Sequence, residues 1–215
     1  MTITASKISD GNRAEVLDFV RCKKSKGAFT VIDVGGGVFS WCSSYLDALV
    51  DMNPQHTQTS YPIFQGDINE IHVWNDIEAY TKQYGKFDFC ICTHTLEDIR
   101  NPMFVCSQME RIAKGGYIAV PSKHVEMARF EFGPNGHRGY IHHRWIFEVK
   151  NNRFMGYPKL NVIEYMSELN QVASLDPNLC DLNFYWTDAI GLELVNNDYM
   201  GPNKEAVISY LLQLI

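Results

Sequence analysis

Short apolar runs alternate with amphipathic segments over the first half of the chain. Runs rich in β-branched and aromatic residues predict five strands, at residues 31–34, 48–51, 61–64, 87–93 and 117–120. Apolar residues at helical spacing predict helices at 13–22, 75–84 and 101–112, and a further helix is expected between the first two strands. Strands that alternate with helices in this way favour a parallel sheet with helices on both faces.

The pattern changes after residue 121. Trp145, Phe147 and Val149 alternate as in a strand, and Asn151 with Asn152 predicts a tight hairpin turn. We interpret residues 123–160 as a hairpin cap inserted after the fifth strand, over the ligand crevice. Later segments predict a helix at 162–169, strands at 182–186 and 192–195, and either a strand or a helix at 207–215.

These elements predict an α/β fold, a Rossmann-like three-layer sandwich with a mostly parallel central sheet of about seven strands. The 215 residues suffice for one substantial core and not comfortably for two, so a single domain is expected over 1–215. The 46% share of hydrophobic residues agrees with a globular chain.

Charge and targeting signals limit the kinds of partner. A formal charge of -6 opposes a nucleic-acid backbone, and no long uncharged apolar run marks a membrane span. The N-terminus lacks the features of a secretory signal, and the six cysteines are scattered without a CxxC pair. We therefore expect a cytoplasmic protein with a small-molecule substrate and no disulfide framework; nothing in the sequence indicates its oligomeric state.

A glycine run follows the first predicted strand. The stretch VIDVGGG contains Asp33 and then Gly35, Gly36 and Gly37, and the second strand ends in Asp51. Glycines between a strand and a helix let the backbone approach a ligand closely, and an acid at the next strand end can accept hydrogen bonds from ribose hydroxyls. The pattern predicts a nucleoside-binding βαβ unit.

Two further strand ends carry polar residues. Asp67 follows the third strand and either accepts a hydrogen bond from an exocyclic amine such as adenine N6 or caps a turn. The fourth strand runs into Thr93 and His94. Because ligands bind outside the carboxyl ends of parallel strands, we expect this tip to face whatever the glycine run binds. For His94, a hydrogen bond that anchors the loop remains an alternative to a functional role.

Five motifs in order, VIDVGGG, Asp51, FQGDI, FDFCICTHTLEDIRNP and KGGYIAVPS, resemble the class I S-adenosyl-L-methionine-dependent methyltransferases. The resemblance covers roughly residues 29–122. It implies S-adenosylmethionine as cofactor and places the tip of the fourth strand under the sulfonium. By position, it assigns cofactor binding to Asp33, Gly35, Gly36, Gly37, Asp51, Asp67, Ile68 and Thr93.

Two other hypotheses stand beside the methyltransferase. Phe39 falls where the family has its third glycine, which motivates the alternative of a catalytically inactive, methyltransferase-fold binding module. A dinucleotide-binding dehydrogenase would place its glycines at Gly35, Gly37 and Ser40, so its last glycine is missing. Asp33, two residues before the first glycine, fits the methyltransferase pattern better.

A cluster of histidine and arginine follows the fifth strand. His142 or His143 could act as a general base, as could His94 at the strand tip. The segment also offers groups for binding an anionic substrate, namely His137, Arg138, Arg144 and Trp145.

A metal-dependent enzyme using this segment is a further alternative, with His137, one of the histidine pair, and Glu126 or Glu131 as ligands. On a strand, His142 and His143 would point to opposite faces and could not share one metal, so no metal site is assigned. A purely structural role, in which the ring side chains stiffen a hairpin, also remains. The leading hypothesis is a methyltransferase that uses S-adenosylmethionine to methylate a small polar acceptor, with an oxygen favoured over a nitrogen.

Overall fold

A computed structural model describes residues 2–54, 59–133, 135–195 and 204–215. Twelve strands occur among these residues: β1 Thr2–Ser9, β2 Val31–Val34, β3 Ala48–Asp51, β4 Ile63–Gln65, β5 Phe89–Thr93, β6 Gly115–Pro121, β7 Arg129–Glu131, β8 His137–Arg138, β9 Trp145–Lys150, β10 Arg153–Pro158, β11 Asp181–Thr187 and β12 Glu193–Leu194. The described helices are α1 Arg13–Ser25, α2 Ile71–Tyr84, α3 Pro102–Ile112, α4 Lys123–Met127 and α5 Lys204–Leu211. Each of these helices is too short or too polar to cross a lipid bilayer.

Seven strands form the central sheet, in the order β1-β11-β6-β5-β2-β3-β4. Strands β2 to β6 run parallel to one another, whereas β11 is antiparallel to both β6 and β1. The five parallel strands taken in chain order have the arrangement 3-2-1-4-5 of doubly wound nucleotide-binding sheets. The predicted Rossmann-like sandwich with a mostly parallel sheet is therefore confirmed.

Successive side chains of the buried strands lie on opposite faces of the sheet and pack into two separate hydrophobic cores. On one face, Val16 and Val20 of α1 pack with side chains such as Val31 and Ile91. On the other face, α2 and α3 pack with the intervening residues, among them Ile32. This period-2 division of the buried strands explains why they read as continuous apolar runs.

The β9–β10 hairpin shares the second face with α2 and α3. The rings of Phe147 and Phe154 stack 4.9 Å apart, and Phe154 also contacts Phe184 of β11. Within the predicted cap, Val125 of α4 and the loop at residues 139–144, which precedes the hairpin, border the crevice. The hairpin itself covers the sheet face.

The helix predicted between β2 and β3 is wrong. Residues 35–47, all of which the structure describes, contain only one short 3₁₀ turn, Ser43–Tyr45. The segment is rich in glycine, serine and aromatic residues, which are weak helix formers. The glycine run is therefore not followed by a helix N-terminus.

Other elements differ from the prediction in smaller ways. Strand β1 was missed, and α2 begins at Ile71, four residues before the predicted start at residue 75. Strand β6 begins at Gly115, two residues before the predicted start at residue 117. The helix predicted at 162–169 forms two 3₁₀ segments, Asn161–Tyr165 and Ser167–Gln171, and the terminal segment is helical.

Candidate functional site

A buried carboxylate organises the glycine loop after β2. Asp33 is fully buried, and its Oδ2 accepts hydrogen bonds from Ser40 Oγ at 2.9 Å and from Cys42 Sγ at 3.2 Å. A Cβ on Gly36 would lie 1.8 Å from the same Oδ2, so only glycine fits at this position. Burial raises the pKa of Asp33 to about 6, against the opposing effect of these hydrogen bonds.

Gly35 forms the inner end of this loop. Its N–H donates to Val50 O at 2.8 Å, which ties the loop to β3. A Cβ on Gly35, where φ is +82°, would lie 2.6 Å from Thr95 Cγ2. Gly37 lies at the outer end, where its carbonyl accepts from Ser40 N–H. The ring of Phe39 is 72% exposed, so it extends away from the protein interior.

The carboxyl ends of β2, β3, β4 and β5 surround a cavity of about 420 Å³, which we call the glycine-loop cavity. It is lined by Gly35, Asp51, Met52, Gly66, Asp67, Ile68, Asn69, Thr95, Asp98, Ile99, Arg100 and Arg144. The sequence had singled out five of these residues from separate parts of the chain. Register explains their meeting, because the paired strands β2, β3 and β4 end at one edge of the sheet.

The two acids in this cavity make different local bonds. Asp51 Oδ1 accepts from Asn53 N–H at 2.8 Å, and no hydrogen bond from the described part of the chain reaches its Oδ2. Asp67 Oδ1 accepts from the backbone N–H of Asn69 at 2.8 Å and from its side-chain Nδ2 at 2.9 Å. Asp67 therefore caps a turn, the alternative that the sequence had left open, while it also lines the cavity.

Three consecutive residues at the carboxyl end of β5, Thr93, His94 and Thr95, have different surroundings. Thr93 does not line the glycine-loop cavity, and its Oγ1 accepts a hydrogen bond from Trp41 Nε1 at 3.3 Å. Thr95 instead lines the glycine-loop cavity. Between them, His94 adopts a left-handed backbone conformation with φ at +51°, which turns the chain at the strand end.

His94 lies between two carboxylates. Its Nε2 is 3.3 Å from Asp181 Oδ2, and its Nδ1 is 3.6 Å from Glu97 Oε1. The bond with Asp181, followed by that with Glu97, raises the pKa of His94 to about 9. Burial in turn raises the pKa of Glu97. A protonated His94 holds the strand tip to β11 and cannot accept a proton.

His143 belongs to a second buried network. Its Nδ1 lies 2.5 Å from Glu126 Oε1, and Lys159 Nζ donates to Glu126 Oε2 at 2.6 Å. His143 is 9% exposed, and Glu126 is fully buried. A carboxylate at Nδ1 fixes the orientation of the ring and leaves Nε2 for another partner.

His142 and His143 lie in a turn and not on a strand, so the prediction that they point to opposite faces is wrong. Their rings are 4.5 Å apart, and the ring of Tyr140 contacts both. Nε2 of each histidine lies 3.7 Å from Asp98 Oδ1. The turn reverses the chain within a few residues, which brings neighbouring side chains to one side.

These groups line a second cavity of about 320 Å³, which we call the histidine cavity. It contains His94, Glu97, Asp98, Pro121, Val125, Tyr140, His142, His143, Cys180 and Asp181. All three histidines proposed as catalytic therefore meet in one place. Asp98 also lines the glycine-loop cavity, so the two cavities adjoin at this residue.

The structure places several predicted substrate residues elsewhere. Arg138 is 2% exposed, and its guanidinium donates to the carbonyls of Met127 and Met166 and to Asn170 Oδ1. His137 Nδ1 lies 3.2 Å from Glu164 Oε1, which takes it away from the histidine cavity.

Of the other two predicted substrate-binding residues, Trp145 packs on the core and Arg144 lines a cavity. Trp145 Nε1 donates to Ile99 O at 2.9 Å, and its ring packs on the main core. Arg144 is exposed and lines the glycine-loop cavity. Its backbone N–H donates to Glu97 O at 2.7 Å, which joins the loop at 139–144 to the tip of β5.

Sequence reasoning missed Asp181, Tyr140 and the roles of Glu97 and Asp98. The last two lie in the run that follows Thr93, so their place after a buried strand was a usable signal. Asp181 reaches the site because β11 pairs antiparallel with β6, which puts Asp181 beside Pro121. Only the sheet register shows this.

The strand order and the crevice at the switch point between β2 and β5 define a Rossmann-like α/β protein. No protein-family model matches the chain, and no curated protein sequence matches it.

Solved structures with partial likeness include the plantazolicin methyltransferase BpumL in complex with SAH, with 8% identity, 82% coverage of each chain and a TM-score of 0.45. Magnesium protoporphyrin IX methyltransferase (ChlM) from Synechocystis PCC 6803 with bound SAH has 12% identity, covers 81% of this chain and 82% of that one, and has a TM-score of 0.43. The N-terminal domain of EvdMO1 with SAH bound has 11% identity, 80% coverage of each chain and a TM-score of 0.39. Likeness at this level adds nothing to the fold assignment, which rests on the strand order.

Proposed function

We propose that this chain is an S-adenosylmethionine-dependent methyltransferase that acts on an oxygen atom of a small polar acceptor. The glycine-loop cavity holds the cofactor and the histidine cavity holds the acceptor. One observation carries the proposal: residues that the sequence assigned to cofactor and to catalysis line two adjoining cavities at the carboxyl edge of a single sheet.

The residues of the glycine-loop cavity fit an adenosyl group. Asp51 has a carboxylate oxygen available for ribose hydroxyls, and Ile68 supplies an apolar wall for a base. Gly35 packs so tightly on Thr95 that the backbone itself borders the cavity. The volume of about 420 Å³ lies within the range of small-molecule sites. Phe39 is exposed and does not line the glycine-loop cavity, so its ring does not occupy the space proposed for the cofactor.

Alignment is the main contribution of the protein in this proposal. When bound, S-adenosylmethionine would supply a methyl group on a positively charged sulfur. An acceptor oxygen would form the new C–O bond in line as the C–S bond breaks, and the sulfur would leave with the bonding electrons as the neutral thioether S-adenosylhomocysteine. Asp98 lies between the two cavities and so marks where donor and acceptor meet. Holding two reactants in line lowers the entropic part of the barrier.

Charged groups in the two cavities suit different tasks. Arg144 offers a guanidinium to an anionic group in the glycine-loop cavity. His94 is protonated, so it positions the β5 tip and does not serve as the base. The acceptor's proton would leave through the histidine cavity, which Asp98, His142 and His143 line.

Calorimetric titration with S-adenosylmethionine and with S-adenosylhomocysteine, its demethylated product, tests the proposal. We expect both to bind the wild-type protein. Asp51→Asn should weaken binding by about tenfold or more, because a hydrogen bond to a charged acceptor contributes roughly 1.5–3 kcal/mol. Asparagine keeps the Oδ1 that accepts from Asn53 N–H, so the local turn should survive.

Asp76→Asn is the matched control, since Asp76 is exposed on α2 and lines neither cavity. Its affinity for both ligands should equal that of the wild type. The proposal fails if neither ligand binds at about 1 mM, or if Asp51→Asn binds both ligands as tightly as the control.

A further inference from the structure

Asp98, His142 and His143 bring three potential metal ligands together in the histidine cavity, and Asp98 also lines the glycine-loop cavity. Asp98 Oδ1 lies 3.7 Å from Nε2 of His142 and 3.7 Å from Nε2 of His143. One ligand atom from each residue lies within 4.8 Å of both others. We propose that Asp98, His142 and His143 bind a divalent metal ion.

The distances from Asp98 Oδ1 to the two histidine nitrogens are slightly longer than the distances between ligand atoms in an occupied metal site. Zinc bonds of about 2.0–2.2 Å place neighbouring ligands of a tetrahedral site roughly 3.4 Å apart. The two measured separations exceed this by only a few tenths of an ångström. His142 and Asp98 have side chains that are 60% and 43% exposed, so small rotations can bring them inward.

A buried carboxylate supports the proposal independently. Glu126 Oε1 lies 2.5 Å from His143 Nδ1, and Lys159 holds its other oxygen. Histidine ligands of metal ions commonly donate their second ring N–H to a carboxylate, which fixes the tautomer and strengthens the ligand. In this site Glu126 has that position, with Nε2 of His143 left facing Asp98.

The ligand set differs from the one that the sequence suggested. His137 pairs with Glu164, and Glu131 Oε2 accepts from Ile141 N–H, so both are engaged elsewhere. Two imidazoles and one carboxylate suit a first-row ion such as Zn²⁺ or Co²⁺ and leave coordination positions open. The histidine cavity lies beside these open positions.

The role of the ion rests on the proposed function, whereas the metal site itself does not depend on it. An acceptor hydroxyl bound to a cation becomes more acidic and releases its proton to solvent more readily. The ion would thereby prepare the oxygen next to the glycine-loop cavity. His142 and His143 then act as ligands and not as bases.

Titration of untagged, chelator-treated protein with Zn²⁺ by calorimetry, and with Co²⁺ by visible absorption, tests the inference. We expect one ion per chain. His142→Ala and Asp98→Asn should each weaken binding by at least about tenfold, whereas His72→Ala, an exposed histidine on α2, should leave it unchanged. Both test residues are partly exposed, so the variants should fold, which thermal unfolding without metal can verify.

Two results would overturn the inference: the absence of saturable binding, or binding that both variants retain at full strength. Binding through a cysteine would fall in the second class and would show a thiolate-to-cobalt absorption band. Titration of the metal-free protein with S-adenosylhomocysteine separates this inference from the proposed function. If S-adenosylhomocysteine binds and Zn²⁺ does not, the proposed metal site is contradicted and the proposed function stands. If Zn²⁺ binds and S-adenosylhomocysteine does not, the proposed function is contradicted and the metal site stands.

Discussion

His94 shows how one residue at a strand end can combine backbone strain with charge. Its φ of +51° is uncommon for a residue other than glycine, although histidine, like asparagine and aspartate, adopts positive φ more often than most residues do. Two carboxylates, Asp181 and Glu97, hold its ring on either side. The ion pairs offset the conformational cost and fix the loop that separates the two cavities.

The charge of His94 should make stability depend on pH. Its pKa rises from the ordinary value of 6.5 to about 9 on folding, so the folded chain binds this proton more tightly than the unfolded chain. The stabilisation is fully present below pH 6.5 and is lost as pH rises through 9. Because the side chain is 37% exposed, we expect a contribution on the order of 1 kcal/mol.

His94→Asn tests this expectation, because asparagine tolerates a positive φ and carries no charge. The difference in free energy of unfolding between wild type and variant should be largest below pH 6.5 and should shrink towards pH 9. Chemical denaturation at several pH values measures it. A difference that stays constant over this range would show that the imidazole charge contributes nothing.

At the scale of elements, the β9–β10 hairpin depends on its two-residue turn. Lys150 pairs with Arg153 across the turn, and φ is +52° at Asn151 and +58° at Asn152. Positive φ at both central residues is the conformation that matches the twist of the flanking strands. The asparagine pair thus sets the register that brings Phe154 into the core.

Asn152→Ala should destabilise the protein by about 1 kcal/mol, because a Cβ disfavours left-handed backbone. Asn152→Gly should lie within a few tenths of a kcal/mol of the wild type, since glycine adopts this conformation freely. Denaturation midpoints of the three proteins provide the measurement. Equal stability of the alanine and glycine variants would contradict the turn geometry.

Elements with strong local signals could be predicted from the sequence. The Asn-Asn turn and the cap of α3 are examples: Asn101 Oδ1 accepts from Phe104 N–H at 3.1 Å. The loop between β2 and β3 was mispredicted because a glycine turn between two strands suggested a following helix, although the local helix propensity was weak. Strand β1 was missed since an edge strand with a largely exposed surface has little periodic signal.

Residues of the site were predictable where they follow buried strands. Gly35, Asp51 and Asp67 occupy such positions, and parallel pairing brings them together. Asp181 depends on antiparallel pairing with β6, and the closeness of His142 and His143 depends on a turn that the sequence suggested was a strand. Long-range register and turn geometry therefore set the limits of the prediction.

At the scale of the whole molecule, the fold places both cavities along one edge of the sheet. The strands β2, β3 and β4 supply the glycine-loop cavity, and β6, β11 and the loop at 139–144 complete the histidine cavity. Asp98, after β5, joins the two. This arrangement gives donor and acceptor separate walls and a common boundary, as transfer of a group between two bound molecules requires.

A crystal structure of the protein grown with S-adenosylhomocysteine tests the central claim most directly. We predict that the ligand occupies the glycine-loop cavity, with its ribose hydroxyls on Asp51, its base beside Ile68, and its sulfur towards Asp98 and the histidine cavity. Ligand bound away from Asp51 and Gly35, or a cavity closed by Phe39 or by the loop at 139–144, would contradict the account.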